Sequence, residues 1–108
     1  MKDHSSRKVL HCIVAGMLAG VASLAAAHNP VCVCVPDGEA VVCTGGFSDG
    51  SKAPGVTLDV IAYDETILLK GKLGDNSRLR FKRPGGEFYV LFDAGPGHVV
   101  EIDHTEIR

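Results

Sequence analysis

The sequence predicts an all-β fold, a single small β-sandwich of about seven strands that follows an N-terminal signal segment. Beyond residue 27, apolar and polar residues alternate with a period of two, and turn residues separate the short alternating segments. No segment there shows the apolar period of a long helix. Short strands with this spacing are typical of two packed sheets.

The first two strands are predicted to form a hairpin that carries the cysteines. Residues 31–44 read as two valine- and cysteine-rich segments around a Pro-Asp-Gly-Glu turn. If Asp37-Gly38 closes this turn, Cys32 faces Cys43, and Cys34 lies diagonally from Cys43 on the same face. Three sulfur atoms would then share one small patch.

Five more strands are predicted from alternation and turn residues. The glycine- and serine-rich segment Gly45–Pro54 is the long loop that carries the chain from one sheet to the other. Asp64-Glu65, Pro84-Gly85-Gly86 and Gly95-Pro96-Gly97 supply turns between later strands. These strands are predicted at Val56–Tyr63, Thr66–Lys70, Arg78–Lys82, Glu87–Asp93 and Val99–Asp103.

The N-terminus predicts export. A positively charged start precedes the apolar segment Val9–Ala27, which ends in three alanines before His28. This pattern predicts a signal peptide at 1–27 and a mature domain at 28–108, located in the periplasm or secreted. The alternative is an uncleaved membrane anchor, because 19 apolar residues can just span a bilayer.

The mature chain would have 81 residues, a size at which a disulfide, a metal or a partner often adds stability. Removal of the leader leaves 8 basic and 12 acidic residues, a net charge of −4, which disfavours nucleic-acid binding. Cys12 departs with the leader. An odd number of cysteines in an exported protein leaves one that is free, paired between chains or bound to a ligand.

The three mature cysteines allow two interpretations. Directly opposed residues of an antiparallel pair have Cα atoms about 4.5 to 5.5 Å apart, a separation that a disulfide tolerates. An oxidising compartment would favour a Cys32–Cys43 disulfide, with Cys34 left over. Alternatively, the thiolates of Cys32, Cys34 and Cys43 hold a soft metal ion.

Two histidines are further candidate metal ligands. If the signal peptide is cleaved after Ala27, His28 offers an α-amine and a ring nitrogen as one chelate for copper or nickel. His98 follows a Gly-Pro-Gly turn that leaves its ring accessible, although a backbone carbonyl could equally satisfy it. His104 lies about 20 Å along the strand from His98, too far to share an ion.

Six of the eight mature basic residues fall in one stretch of the chain. They form either a solvated sheet face that discourages edge pairing or a docking face for an acidic partner or anionic lipid. They are Lys70, Lys72, Arg78, Arg80, Lys82 and Arg83.

Two segments carry a resemblance to known families. Ser48–Val60, an acidic-glycine turn before a strand that begins Gly-Val, resembles the opening of prealbumin-like or carboxypeptidase-regulatory-like sandwiches, which are immunoglobulin-like in form. Asp93–His98 fits the Asp-Ala-Gly-x-Gly-His of periplasmic accessory components of nickel and cobalt transporters, whose mature chains begin with histidine. The resemblance covers Ser48–His98 together with His28, and the cysteine hairpin is not part of that pattern.

The sequence therefore predicts an exported binding module rather than an enzyme, because no nucleophile, phosphate-binding loop or helix N-terminus has a catalytic pattern around it. The resemblance implies a transition-metal role with a membrane transporter or other envelope protein as the partner, and the thiol and histidine donors point to copper, nickel or zinc as the ion. The alternative is a disulfide-stapled interaction module that binds no metal.

Overall fold

The computed structural model describes residues 28–108, and the predicted signal peptide with Cys12 lies outside the described residues. Within residues 28–108 the fold is all-β with seven strands, which confirms the predicted fold class. A short 3-10 turn at His104–Glu106 follows the last strand. The strands are β1 (Pro30–Asp37), β2 (Ala40–Phe47), β3 (Thr57–Ala62), β4 (Ile67–Lys72), β5 (Arg78–Lys82), β6 (Phe88–Asp93) and β7 (Val99–Asp103).

The strands form two antiparallel sheets. Sheet A has three strands in the order β1-β2-β5, and sheet B has four in the order β4-β3-β6-β7. The chain passes from one sheet to the other after β2, after β4 and after β5. The loop between β2 and β3 therefore connects the sheets, as predicted.

That loop begins later than predicted, because Gly45–Phe47 extend β2. Gly45 lies at a close approach of the two sheets. A Cβ atom there would fall 2.7 Å from both Leu73 Cδ1 and Phe92 Cε1. Only glycine fits at this point without displacing a core side chain. Gly45 and Gly46, which suggested a loop in the sequence, are thus part of strand β2.

The core lies between the inner faces of the two sheets. Val41 and Cys43 from sheet A meet Leu58, Val90 and Phe92 from sheet B, and each of the five is 0% exposed. Burial of a side chain of this kind contributes roughly 1.5 to 3 kcal/mol. The period-two pattern of the sequence therefore corresponds to real inner and outer faces.

The cysteine hairpin closes one residue later than predicted. Its two-residue loop is Gly38-Glu39, and Asp37 pairs with Ala40. Gly38 has φ +61° while Glu39 keeps a negative φ, the arrangement of a type II′ turn with glycine at the first central position. A shift of the turn by one residue moves every cross-strand partner by two positions. Residues therefore keep their face but change their partner.

The expected Cys32–Cys43 disulfide is wrong for this reason. Cys34, not Cys32, lies opposite Cys43, and these two residues form the disulfide. Cys32 lies opposite Gly45, remains a free thiol and packs against the core. All three cysteines do lie on the inner face, as the sequence predicted, but the bridge removes two of them from any metal site.

We expect replacement of the disulfide to destabilise the domain. A bridge between residues nine positions apart stabilises a fold by about 3 kcal/mol, because it restricts the unfolded chain. In urea unfolding experiments, the free energy of unfolding of the double variant Cys34→Ala/Cys43→Ala should be lower by about that amount. Cys32→Ala, the matched control, should cost about 1 kcal/mol or less. A larger loss for Cys32→Ala than for the double variant would contradict the observed pairing.

Candidate metal centre

The sequence-predicted ligands His28 and His98 line one pocket, although they lie 70 positions apart in the chain. The pocket has a volume of about 370 Å³, and its other walls are Phe47, Ser51 and Ala94. None of the three cysteines lines it. The structure therefore brings the two histidines together and separates them from the sulfur atoms.

The start of β1 positions His28. Ser48, which follows β2, binds the segment before β1, because its backbone N–H donates to the Asn29 carbonyl at 2.8 Å. The Ser48 hydroxyl in turn accepts from the Asn29 N–H at 3.1 Å. Pro30 then pairs with Phe47 across the hairpin. His28 is thereby anchored beside the turn that leads out of β2.

The tight connection between β6 and β7 positions His98. The backbone N–H of Ala94 donates to the His98 carbonyl at 2.9 Å, and the His98 N–H donates to the Gly95 carbonyl at 2.8 Å. Gly95 and Gly97 have φ +119° and +77°, which side chains other than glycine rarely adopt. The Gly-Pro-Gly sequence thus folds into a turn that presents the His98 ring at the surface.

Each histidine ring has one nitrogen held by an oxygen atom. Nδ1 of His28 lies 2.8 Å from Oδ2 of Asp49, and Nδ1 of His98 lies 3.0 Å from the Pro96 carbonyl oxygen. A carbonyl oxygen only accepts, so Nδ1 of His98 donates and its Nε2 keeps a lone pair when the ring is neutral. Metal-bound histidines typically have this arrangement, since an oxygen acceptor on one nitrogen fixes the ring and its tautomer.

Asp49 is the residue of this site that the sequence analysis missed. Its carboxylate accepts hydrogen bonds from the Ser51 backbone N–H at 2.9 Å and from the Ser51 hydroxyl at 2.7 Å. These bonds, the hydroxyl first, lower the pKa of Asp49, with His28 adding to the effect. Asp49 is therefore an anion at neutral pH that orients His28. The signal in the sequence is the Asp-Gly-Ser turn, in which aspartate binds the backbone two residues on.

Cys32 is a poor ligand where it lies. Burial raises the pKa of its thiol to about 11, so the neutral form dominates at physiological pH. The thiolate is the form that binds metals and attacks electrophiles. Within residues 28–108, no three His, Cys, Asp or Glu side chains gather into a metal site by themselves. A metal centre here consequently rests on the two imidazoles and a further donor.

The six basic residues that the sequence grouped do not share one face. Arg78, Arg80 and Lys82 alternate with the inward Leu79 and Phe81, so they lie on the outer face of sheet A. Lys70 and Lys72 alternate with Gly71, which faces the core, so they lie on the outer face of sheet B. The single docking face is thus divided between opposite sides of the sandwich.

Arg83, the sixth basic residue, has a structural role. Its guanidinium donates to the carbonyl oxygens of Ile107 at 3.0 Å and His104 at 3.1 Å, and it lies 5.6 Å from the centre of the Phe88 ring. The His104 ring packs between Tyr63 and Phe88. Arg83 therefore fastens the C-terminal turn to the sandwich, and His104 is part of that packing.

Comparison with protein-family models, with curated proteins and with solved structures gives no match to this chain. The resemblance to transporter accessory components accordingly stays a prediction. Across residues 28–108, the structure contains no helix with the length and apolar character needed to cross a membrane.

We expect the Cys32 thiol to react slowly in the folded protein. With a pKa of about 11, its thiolate fraction at pH 8 is about 100-fold below that of an unburied thiol. Reaction with a chromogenic disulfide should be slow in buffer, fast in denaturant, and faster as the pH rises toward 11. Of the three cysteines in residues 28–108, only one should react in denaturant, and Cys32→Ala should abolish that reaction. Three rapidly reacting thiols in the native protein would contradict the structure.

Proposed function

We propose that this chain is a small exported binding module that holds a transition metal ion, copper, nickel or zinc, in a transport-accessory or sequestration role. The observation that supports this is the pocket that His28 and His98 both line, each with Nδ1 on an oxygen acceptor. Imidazole nitrogen suits these three ions. Thiolates are disfavoured as ligands, because two cysteines are bridged and the third is half-buried with a raised pKa.

The site has few protein ligands, which suits exchange of the ion rather than permanent storage. Two imidazoles leave positions for water, for a mature α-amine or for a donor from another protein. An ion held in this way can pass to a partner such as a membrane transporter or another envelope protein. Because neutral imidazole is the ligand, protons compete with the metal ion, and the affinity of the site for the ion rises with pH.

Two modes of binding at His28 compete with each other. If the chain begins at His28, the α-amine can chelate an ion together with Nδ1 of the same ring. Asp49 holds that Nδ1 at 2.8 Å, so chelation requires this contact to break. If Asp49 keeps Nδ1, the ion binds Nε2, as in other carboxylate–histidine–metal arrangements. We favour the second mode, since it preserves the observed contact.

The alternative, an interaction module without a metal, is supported by a different observation. The Cys34–Cys43 bridge stabilises the hairpin without any ion. An apolar groove lies beside β5, at the edge of sheet A opposite to β1.

Loss of either histidine is expected to weaken metal binding strongly. The protein should be exported with its own leader, purified without an affinity tag and titrated calorimetrically with copper, nickel and zinc ions. We expect one ion per chain, and at least about a 100-fold loss of affinity in His28→Ala and in His98→Ala, more than an outer-shell partner costs. His104→Phe, which keeps the aromatic packing, is the matched control. Equal affinities in all four proteins would refute the proposal.

The Asp49→Asn variant distinguishes the two modes of binding. If the ion binds Nε2 of His28, loss of the carboxylate should weaken binding by about 10- to 100-fold, because the ring is less well oriented. If the α-amine and Nδ1 form a chelate, the variant should bind as tightly as the parent or more tightly. Mass spectrometry of the mature protein must first establish whether His28 is the N-terminal residue.

A further inference from the structure

A groove opens between β4 and β5, the neighbouring edge strands of the two sheets. It has a volume of about 860 Å³, within the range of ligand-binding pockets. Val60 and Leu69 of sheet B and Leu79 and Phe81 of sheet A form its apolar floor. Arg80 and Lys82 lie at its rim.

The groove exists because the two strands are close at one end and separate toward the other. At the close end, a Cβ atom on Gly71 would fall 2.6 Å from Leu79 Cδ2. At the open end, the segment from Arg83 to Glu87 crosses from sheet A to sheet B and lines the groove. Sheet A also has one strand fewer than sheet B, so nothing in residues 28–108 covers the inner side of β4 here.

The exposed apolar residues beside the groove are unusual for an edge strand. Ile67, Leu68 and Leu69 are consecutive in β4 and are 47%, 48% and 37% exposed. Proteins generally protect such edges with charges, proline or a covering segment. Among the described residues, β5 pairs as a strand only with β2. On its second edge the Arg78 N–H donates to Asn76 Oδ1 and the Arg78 C=O accepts from the Gly74 N–H. The unpaired backbone groups of this edge therefore lie at Arg80 and Lys82.

The side chains of β5 define what an added strand must carry. A strand paired with this edge would extend sheet A and cover Leu69. Its inward residues would meet Leu79 and Phe81, which requires apolar side chains. Its outward residues would lie beside Arg80 and Lys82, and opposite charges across a strand pair stabilise it. Apolar and acidic residues must therefore alternate.

We propose that the groove binds an extended segment of another protein in which apolar and acidic residues alternate, and that this segment pairs with β5 as a fourth strand of sheet A. Main-chain hydrogen bonds supply affinity in this mode of recognition, and the alternate side chains supply specificity. The surface is separate from the histidine pocket, so the inference does not depend on metal binding. Asp37, 3.2 Å from the Arg80 guanidinium, offsets only part of the positive charge at the rim.

The test uses a fluorescein-labelled peptide of sequence Val-Glu-Val-Glu-Val-Glu-Val and the exported protein. Fluorescence anisotropy should show saturable binding, and the matching Val-Lys peptide should not bind. Leu69→Asp and Lys82→Glu should each weaken binding by about fivefold or more. The controls are Val33→Asp, an exposed apolar position on β1, and Lys72→Glu, the same charge change on the other face. Neither control should alter binding.

A charge exchange gives an independent readout that does not rely on loss of binding. The variant Arg80→Glu/Lys82→Glu should bind the Val-Lys peptide and reject the Val-Glu peptide. Amide hydrogen exchange should show new protection in β5 when the peptide is bound, and none in β1. Circular dichroism establishes that each variant is folded, and both of these charged residues are on the surface.

Four results would overturn the proposal. The first is no saturable binding of the Val-Glu peptide. The second is equal weakening by Lys82→Glu and Lys72→Glu. The third is a dimer in sedimentation that Leu69→Asp dissociates, which would make a second copy the occupant. The fourth is binding of anionic phospholipid vesicles that requires Leu69, in the absence of peptide binding.

Discussion

The place of Gly38 in the hairpin loop determines what the cysteines of this protein can do. Gly38 is the first central residue of the loop, where its positive φ is required, and the Gly38-Glu39 loop sets the partner of every residue in β1 and β2. Cys34 is thereby paired with Cys43, and Cys32 is left opposite Gly45. The bridge occupies two of the three sulfur atoms, and partial burial disfavours the thiolate form of Cys32. The nitrogen donors of His28 and His98, which line one pocket, are then the more suitable candidate ligands.

The strands could be predicted from the sequence because alternation at period two is a direct record of inner and outer faces. Register could not, since Asp37-Gly38 and Gly38-Glu39 are both acceptable two-residue loops that differ only in where glycine sits. Gly45 is a second residue whose structure could not be predicted from the sequence. A glycine next to another glycine indicates a loop in the sequence, but here it marks a close approach to Phe92 that only the folded structure reveals.

The candidate site was partly predictable for a similar reason. The shared pocket of His28 and His98 cannot be read from spacing, because it depends on how the fold arranges the segment before β1, the end of β2 and the segment after β6. Both residues were singled out by their positions after the leader and after a glycine turn. Asp49 was missed because its role arises from contact with a residue 21 positions away. The basic residues were grouped by their nearness in the chain, yet the crossing from β4 to β5 places them on opposite faces.

The two proposed surfaces lie near opposite ends of β6, which allows them to work at the same time. His98 follows the end of β6, and the segment that lines the groove leads into its start at Phe88. Six residues of strand separate these ends by about 20 Å. Direct electrostatic interaction over that distance is largely screened at physiological salt. A metal ion in the pocket would therefore leave the groove open to a partner. Any coupling between the two surfaces would have to pass through the packed core, to which β6 contributes the fully buried Phe88, Val90 and Phe92.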